Sequence, residues 1–333
     1  MIQYLPVVLG FLIAGTIRSQ ETNRIAQSTM TFLSIDPVAR TVGMGEASTC
    51  MDNDVNALFH NPAGIAKISG AAIALNHTRW IADMNQYSIS TCYGHSLLGT
   101  FGASFVLMDN GEIVRTVPDA STRGFHTEEP FNVNQFAVGI GYGRQITNKF
   151  SIGGQVKYAY QDLGPADIYY QTVSVRDTLY DVANHQGTVA LDFGTLYYIG
   201  LKDLRVAMSF RNFSSSVEYG YDPFQLPLVL RIGMAMNVLA LFPGVENQSL
   251  QMAVEAAHPN DYSDRIHVGG EYGYRNLFFV RAGYRFNSDE KGLSAGLGVS
   301  YATSTMTVKI DYAYSDYGNL FGAVHRVSFG FRL

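Results

Sequence analysis

Charge is scarce in this chain. Asp, Glu, Lys and Arg together make up 15% of its 333 residues, where soluble domains usually carry about a quarter. The Lys and Arg residues stand singly and the net charge is −5, so no nucleic-acid partner is expected. Cysteine is scarcer still. Cys50 and Cys92 cannot form a disulfide framework. They are read as two unlinked thiols, with a bond between them left open in an oxidising periplasm. Long apolar runs are missing too: beyond the N-terminus no segment approaches the roughly 18 uncharged apolar residues of a membrane helix. The signatures of chemistry are also absent. His60, His77, His95, His126, His185, His258, His267 and His325 are scattered, with no HExxH and no zinc-ligand spacing. Residues 51–63 (MDNDVNALFHNPA) place Asp52, Asp54 and Asn56 at alternate positions, as a calcium loop does. Ala57 and Ala63, however, stand where that loop requires Gly and Glu. Catalytic residues, metals and cofactors are therefore not expected.

What is present is two-residue alternation. In residues 323–333 (AVHRVSFGFRL), Val327, Phe329, Phe331 and Leu333 share one face, and Arg326, Ser328, Gly330 and Arg332 share the other. The pattern recurs along the chain with too few helices to cover a sheet. Only helices and closed barrels satisfy their backbone in lipid. Low charge, 33 glycines and 21 tyrosines then fit a barrel that is apolar outside and polar inside. Strands are expected at 68–80, 84–95, 98–108, 132–144, 149–161, 185–198, 204–213, 227–240, 248–257, 264–275, 277–287, 292–302, 305–315 and 323–333. The fold class is all-β: a fourteen-stranded antiparallel transmembrane barrel over 68–333. The long connections 109–131, 162–184 and 214–226 all fall at one end and the short ones at the other. Outer-membrane barrels place the long loops outside the cell, so both termini are expected in the periplasm. Residues 1–19 resemble a secretory leader with an apolar core at 5–15, although no Lys or Arg precedes that core. Residues 20–67 lack alternation. Asp54 is suited to cap a short helix over 55–60, which Asn61 and Pro62 end. This segment is expected to plug the lumen.

The same alternation assigns faces. Lys157, His267, Glu271, Arg281, Arg285, Lys309, Asp311, Arg326 and Arg332 are expected to face the lumen, with Arg281 pairing Glu271 and Lys309 pairing Asp311. The glycine-rich stretches 139–144 (GIGYGR) and 296–300 (GLGVS) lie within strands. They are read as relief of crowding where strands bend or the plug approaches, not as phosphate loops. Phe101 and Phe105 are read as lipid-facing aromatics. The connection 109–131 is polar but carries Ile113, Val114, Phe125 and Phe131, which makes it a candidate for contact with a protein partner.

Residues 32–40 (FLSIDPVAR), 43–47 (GMGEA) and 54–63 (DVNALFHNPA) resemble the opening of the PorV/PorQ family, closer to PorV. The sequence Asn61, Pro62, Ala63 is similar to the plug motif of FadL-type transporters. The resemblance implies a FadL-like outer-membrane barrel of type IX protein secretion, without enzymatic activity. It implies outer-membrane lipid around the wall and, as partners, a secretion translocon subunit or the C-terminal signal domain of secreted cargo. It also implies that Arg40, Gly43, Gly45, Asn61, Pro62 and Ala63 hold the plug. The alternative is a FadL-like transporter of fatty acids or other hydrophobic small molecules, which needs apolar residues facing inward. Leu277 and Phe279 are expected to do so, but most inward residues are polar. A membrane hydrolase would need a serine beside lipid-facing His325, and none is evident.

Overall fold

The computed structural model describes residues 27–118, 124–164, 167–170, 178–181, 184–219, 222–288 and 292–333. The leader expected at 1–19 and much of the connection 162–184 lie outside the described residues. Fourteen strands close into one antiparallel barrel. The first seven are β1 (Gly70–Arg79), β2 (Asn85–His95), β3 (Gly99–Ile113), β4 (Phe131–Thr147), β5 (Phe150–Asp162), β6 (His185–Tyr198) and β7 (Arg205–Ser214). The rest are β8 (Val229–Asn237), β9 (Gln248–Pro259), β10 (Arg265–Tyr274), β11 (Phe278–Phe286), β12 (Leu293–Ala302), β13 (Thr307–Asp316) and β14 (Ala323–Arg332). Each strand pairs with its sequence neighbours, and β14 closes on β1 from Ala72 opposite Arg332 to Arg79 opposite His325. Closure leaves no free sheet edge. Short turns join strands at one end, as at 96–98 and 275–277. At the other end three long connections carry two-stranded ribbons, Thr116–Pro118 with Phe125–Thr127, Asp167–Tyr170 with Thr178–Asp181, and Val217–Tyr219 with Asp222–Phe224.

Side-chain alternation sets the two surfaces. On β12 Leu293, Leu297 and Val299 are exposed while Ser294 and Ser300 are buried. On β11 Phe278, Val280, Tyr284 and Phe286 are exposed while Arg281 and Arg285 are buried. An apolar face this continuous is not tolerated in water, but it matches the hydrocarbon of a bilayer. Slipping any strand by one residue would drive its charges into lipid, so the register is strongly held.

The core lies inside the wall. Residues 28–67 fold as a 3-10 turn (Thr31–Ser34), a short helix α1 (Ala39–Gly43) and two further 3-10 turns (Val55–Phe59 and Pro62–Ile65). Asp54 caps the second turn by accepting from the Asn56 amide, and Asn61 caps the third by accepting from Ala63, with Pro62 in the first helical position. α1 touches β11 to β14, the 55–59 turn touches β1 to β3, and the 62–65 turn touches β4 to β6. A segment in contact with strands on all these sides of a closed barrel lies within it. Small inward residues make room: Met44, Cys50 and Ala63 pack on Ala207, Ala235 and Ala253, while Leu58 and Ile65 pack with Ala72, Ala74 and Cys92. Cys50 and Cys92 are therefore buried in separate clusters, as free thiols.

Candidate functional site

The functional geometry is the seam between residues 28–67 and the inner wall. In places the segment's backbone lies directly on the strands. A Cβ on Gly153 would stand 2.3 Å from the Pro62 carbonyl carbon, and one on Gly194 would overlap the Asn61 amide oxygen. The Asn61 Nδ2 donates to Thr49 O at 2.8 Å and to Thr195 O on β6 at 3.1 Å. Opposite, a Cβ on Gly283 would lie 2.0 Å from the Gly45 amide nitrogen. Gly45 has φ +66°, left-handed backbone that disfavours a side chain, and Gly43 rests 3.1 Å from the Gly296 Cα by the same measure.

Charges complete the seam. Arg40 grips Glu271 with Nε at 2.9 Å and Nη2 at 2.7 Å, and also donates to Asp54 at 3.1 Å. Glu271 accepts a second guanidinium, Arg281 Nε at 2.6 Å. Burial pushes the Asp54 carboxyl up, but Arg40 and Lys309 outweigh it and hold it below its ordinary value. Arg285 meets Glu46 at 3.0 Å. Burial opposes ionisation of Glu46 too, yet Arg285, His267 and Arg231 bring it down to about 2. Arg231 meets Glu255 at 2.8 Å, and the other Glu255 oxygen accepts from the Ser48 and Thr49 amides. His267 Nδ1 donates to Gly45 O at 2.8 Å, Arg326 Nε to Asp36 O at 2.9 Å, and Arg332 to Asn53 O at 2.8 Å. Lys157 makes its bonds within the wall, to Asp192 at 2.7 Å and Asn212 at 2.5 Å.

One expected pairing differs. Asp311 is engaged by Arg281 at 2.7 Å, not by Lys309. Arg281 reaches it from two strands away because Gly298, on the strand between, has no side chain: a Cβ there would lie 2.3 Å from Asp311 Oδ1 and 2.8 Å from the guanidinium. Lys309 instead lines a small cavity of about 80 Å³ with Arg40, Asp54 and Arg332. Leu277 and Phe279 are half-buried, and Arg281 lies 5.6 Å over the Phe279 ring. His325, on the outer wall, is bonded to the Tyr312 hydroxyl at 2.7 Å. Ile113, Val114 and Phe125 are exposed, whereas Phe131 is half-buried and covers Gly164. Asp36, Glu46, Asp192, Arg205, Arg211, Arg231 and Glu255 also belong to the lumen and were not singled out by sequence. The signal existed for Arg231 and Glu255, which share the inward parity of Gly233 and of Ala253.

A buried pair links Asp36 to His60, with Nε2 3.0 Å from Oδ2. His60 Nδ1 faces the Asn56 carbonyl at 3.3 Å. A carbonyl only accepts, so Nδ1 carries the hydrogen, and the Nε2–Oδ2 contact needs one shared proton, on the imidazolium or on the acid. The electrostatic tendencies place it on Asp36. Burial, then Glu46, raises Asp36 to about 6, while burial, then Arg211, takes His60 well below its ordinary value. The linkage signs oppose. The raised Asp36 favours the fold below its ordinary range, and that share is lost as pH rises through about 6. The depressed His60 favours the fold above pH 6.5, and that share is lost as pH falls. Between about pH 4.5 and 6, folded and unfolded pairs each hold one proton, so the pair adds no slope. In Asp36→Asn only the histidine remains. Relative to wild type, the variant is expected to lose about 1.4 kcal/mol of stability per pH unit as pH falls from about 6 to about 4.5, read from urea midpoints in vesicles. Parallel pH profiles of the two proteins would refute the shared proton.

Among solved structures, the chain is similar to the toluene transporter TbuX of Ralstonia pickettii. The identity is 13% and the TM-score 0.57, over 89% of this chain and 97% of that one. The toluene transporter TodX of Pseudomonas putida is 13% identical with a TM-score of 0.58, over 87% and 96%. The CymD monoaromatic hydrocarbon channel is 13% identical with a TM-score of 0.57, over 89% and 96%. At this identity the likeness speaks for a FadL-like fold alone. No curated protein matches the chain. Residues 118–331, from the first long connection to the last strand, match the family described as type IX secretion system membrane protein PorP/SprF. With a fourteen-stranded wall and a match over more than half its length, this outer-membrane β-barrel belongs to the PorP/SprF family of type IX secretion membrane proteins.

Proposed function

We propose that this protein is a plugged, non-enzymatic outer-membrane barrel that binds secreted cargo or a secretion component at its long-loop end and anchors or shuttles it at the cell surface. The observation that carries the reading is that residues 28–67 are tied to β6, β9, β10, β11 and β14 by directed polar contacts. A barrel stoppered in this way has its loops, not its bore, available for work. In this reading 1–19 is a leader, 20–67 is the plug held through Arg40, Gly43, Gly45, Asn61, Pro62 and Ala63, and the termini are periplasmic. The PorV/PorQ-like motifs lie within residues 31–67, outside the 118–331 family match, so the PorV-like role rests on the plug segment alone.

The decisive experiment is a mild-detergent pull-down of the tagged protein from its native outer membrane, followed by mass spectrometry. A large translocon subunit, or secreted proteins sharing a C-terminal domain, is the expected companion; recovery of the barrel alone with bound hydrocarbon would overturn the reading. Ile113, Val114 and Phe125 are 39%, 55% and 48% exposed, which supports the connection 109–131 as the contact surface. Replacing all three by Ser is expected to cut partner recovery about tenfold or more, as loss of apolar anchors does, with no change in barrel abundance. A second reading, passage of a fatty acid or other hydrophobic small molecule, draws on the fold shared with proteins named as a toluene transporter and a monoaromatic hydrocarbon channel.

A further inference from the structure

A cavity of about 380 Å³ lies at the long-loop end of the lumen, above residues 31–36. Arg211, Arg231, Arg265, Arg285 and His267 all reach it. Two of these charges are already matched, Arg231 by Glu255 at 2.8 Å and Arg285 by Glu46 at 3.0 Å. The other two arginines have weaker company. Arg211 touches the Leu33 carbonyl at 3.5 Å, and Arg265 lies 4.7 Å over the Tyr262 ring instead of on a carboxylate.

Strand register brings them together. Arg231 pairs with Ala257, and Ala257 pairs with Arg265, so two guanidinium stems flank one methyl group at a backbone spacing of about 10 Å. Arg211 pairs with Val229, two residues before Arg231 on β8. Beside Arg211 the β6–β7 ladder breaks its register: Leu191 pairs with Phe213 and Phe193 with Phe210. Asn212 takes φ 62° and turns inward after Arg211, while Phe213 faces out. Such a bulge re-aims side chains, and here it sets two polar residues in succession on the lumen side.

One row deeper, His267 stands between Glu255 and Arg285 and is 2% exposed. Its Nδ1 is committed to Gly45, and its Nε2 has no partner. The Nε atoms of Arg211 and Arg231 are likewise buried without a partner. Orphaned buried polar groups are costly, and these three surround one cavity. The acids are mostly engaged, Asp36 with Thr41 and His60 and Glu46 with Arg285; Asp261, also buried, lines the cavity as a counter-charge. Leu33, Ile35 and Trp80 make another part of the lining apolar.

We propose that this cavity binds a carboxylate carried next to an apolar group, either on a small amphiphile or at the C-terminal residue of a polypeptide. A planar guanidinium fork matches a carboxylate, and the volume and apolar lining suit a carboxylate with a side group better than a bare anion. The inference stands on the cavity and does not need the secretion reading.

Trp80 is the chain's single tryptophan and lines the cavity, so its emission reports occupancy. The full-length barrel in detergent is titrated with phenylacetate, with a short peptide ending in phenylalanine, and with the same peptide amidated at its C-terminus. A saturable change with a free acid, at least about tenfold weaker with the amide, is the expected result. Arg211→Gln and Arg265→Gln are each expected to weaken the acid about tenfold, and Asp261→Asn to tighten it. Preference for the peptide acid over phenylacetate assigns a polypeptide end, and the reverse a small amphiphile. Heat-modifiable gel migration verifies folding; Arg265→Gln, away from the bulge, decides the matter if Arg211→Gln does not fold. Trp80 emission that ignores all three ligands, an equal response to the amide, or unchanged affinity in a folded variant overturns the proposal.

Discussion

Glu271→Ala is expected to destabilise the folded barrel by about 3–5 kcal/mol, the range for breaking a buried ion pair by removing one partner. Glu271 is 3% exposed and neutralises two arginines, Arg40 from the lumen segment and Arg281 from the wall. Without it, Arg281 keeps Asp311 and Arg40 keeps Asp54, but two guanidiniums remain beside each other in a desolvated seam. A solvent-exposed pair such as Arg79–Asp83 would cost no more than about 1 kcal/mol if broken. Urea midpoints in lipid vesicles for Glu271→Ala, Glu271→Gln and Asp83→Ala measure the contrast. A Glu271→Ala loss no larger than that of Asp83→Ala would show that the seam is wet and its charges already screened. Glu271→Gln keeps the shape and two acceptor lone pairs on one oxygen, so the larger part of its loss reports charge.

Deleting residues 28–67 is expected to turn an electrically silent barrel into a steadily conducting one. The fourteen strands close through β1 and β14 without help from the segment, so the wall should survive its removal. Glu255 would keep Arg231 and Glu271 would keep Arg281 within the wall, while Arg285, deprived of Glu46, would meet water filling the bore and lose most of its penalty for being unpaired. Planar-bilayer recording of the wild type and the deletion reads the difference. Gly283→Val, whose side chain would displace the turn at Met44 and Gly45, offers a milder version should the deletion not insert. A wild-type protein that already conducts steadily would end the plug reading and favour a solute path.

The two experiments bear on different parts of the proposed function. The first asks whether the segment is bound to the wall by charge, the second whether it blocks the bore. A segment tightly bound yet leaky would leave the loop-end partner surface intact and reopen the case for a transported ligand.

Alternation by itself determined the strand number, the closed antiparallel topology, and which end carries the long connections. The reason is that a wall one residue thick, with lipid on one side, constrains every second residue independently of its distant neighbours. The local caps were legible for the same reason: Asp54 and Asn61 act on amides two residues away. Tertiary structure decided the rest. Arg281 was legible as inward, but that it pairs with Asp311 in place of Lys309, on Asp311's own strand, depends on the empty position at Gly298. Asn212 sits where simple alternation points outward, and only the bulge opposite Asp192 turns it in. Asp36, Glu46 and His60 lie in a stretch with no period, and their partners are fixed by how that stretch is folded inside the barrel. Period reports the face of a residue; partnership across a lumen depends on the distance between strands that the sequence places far apart.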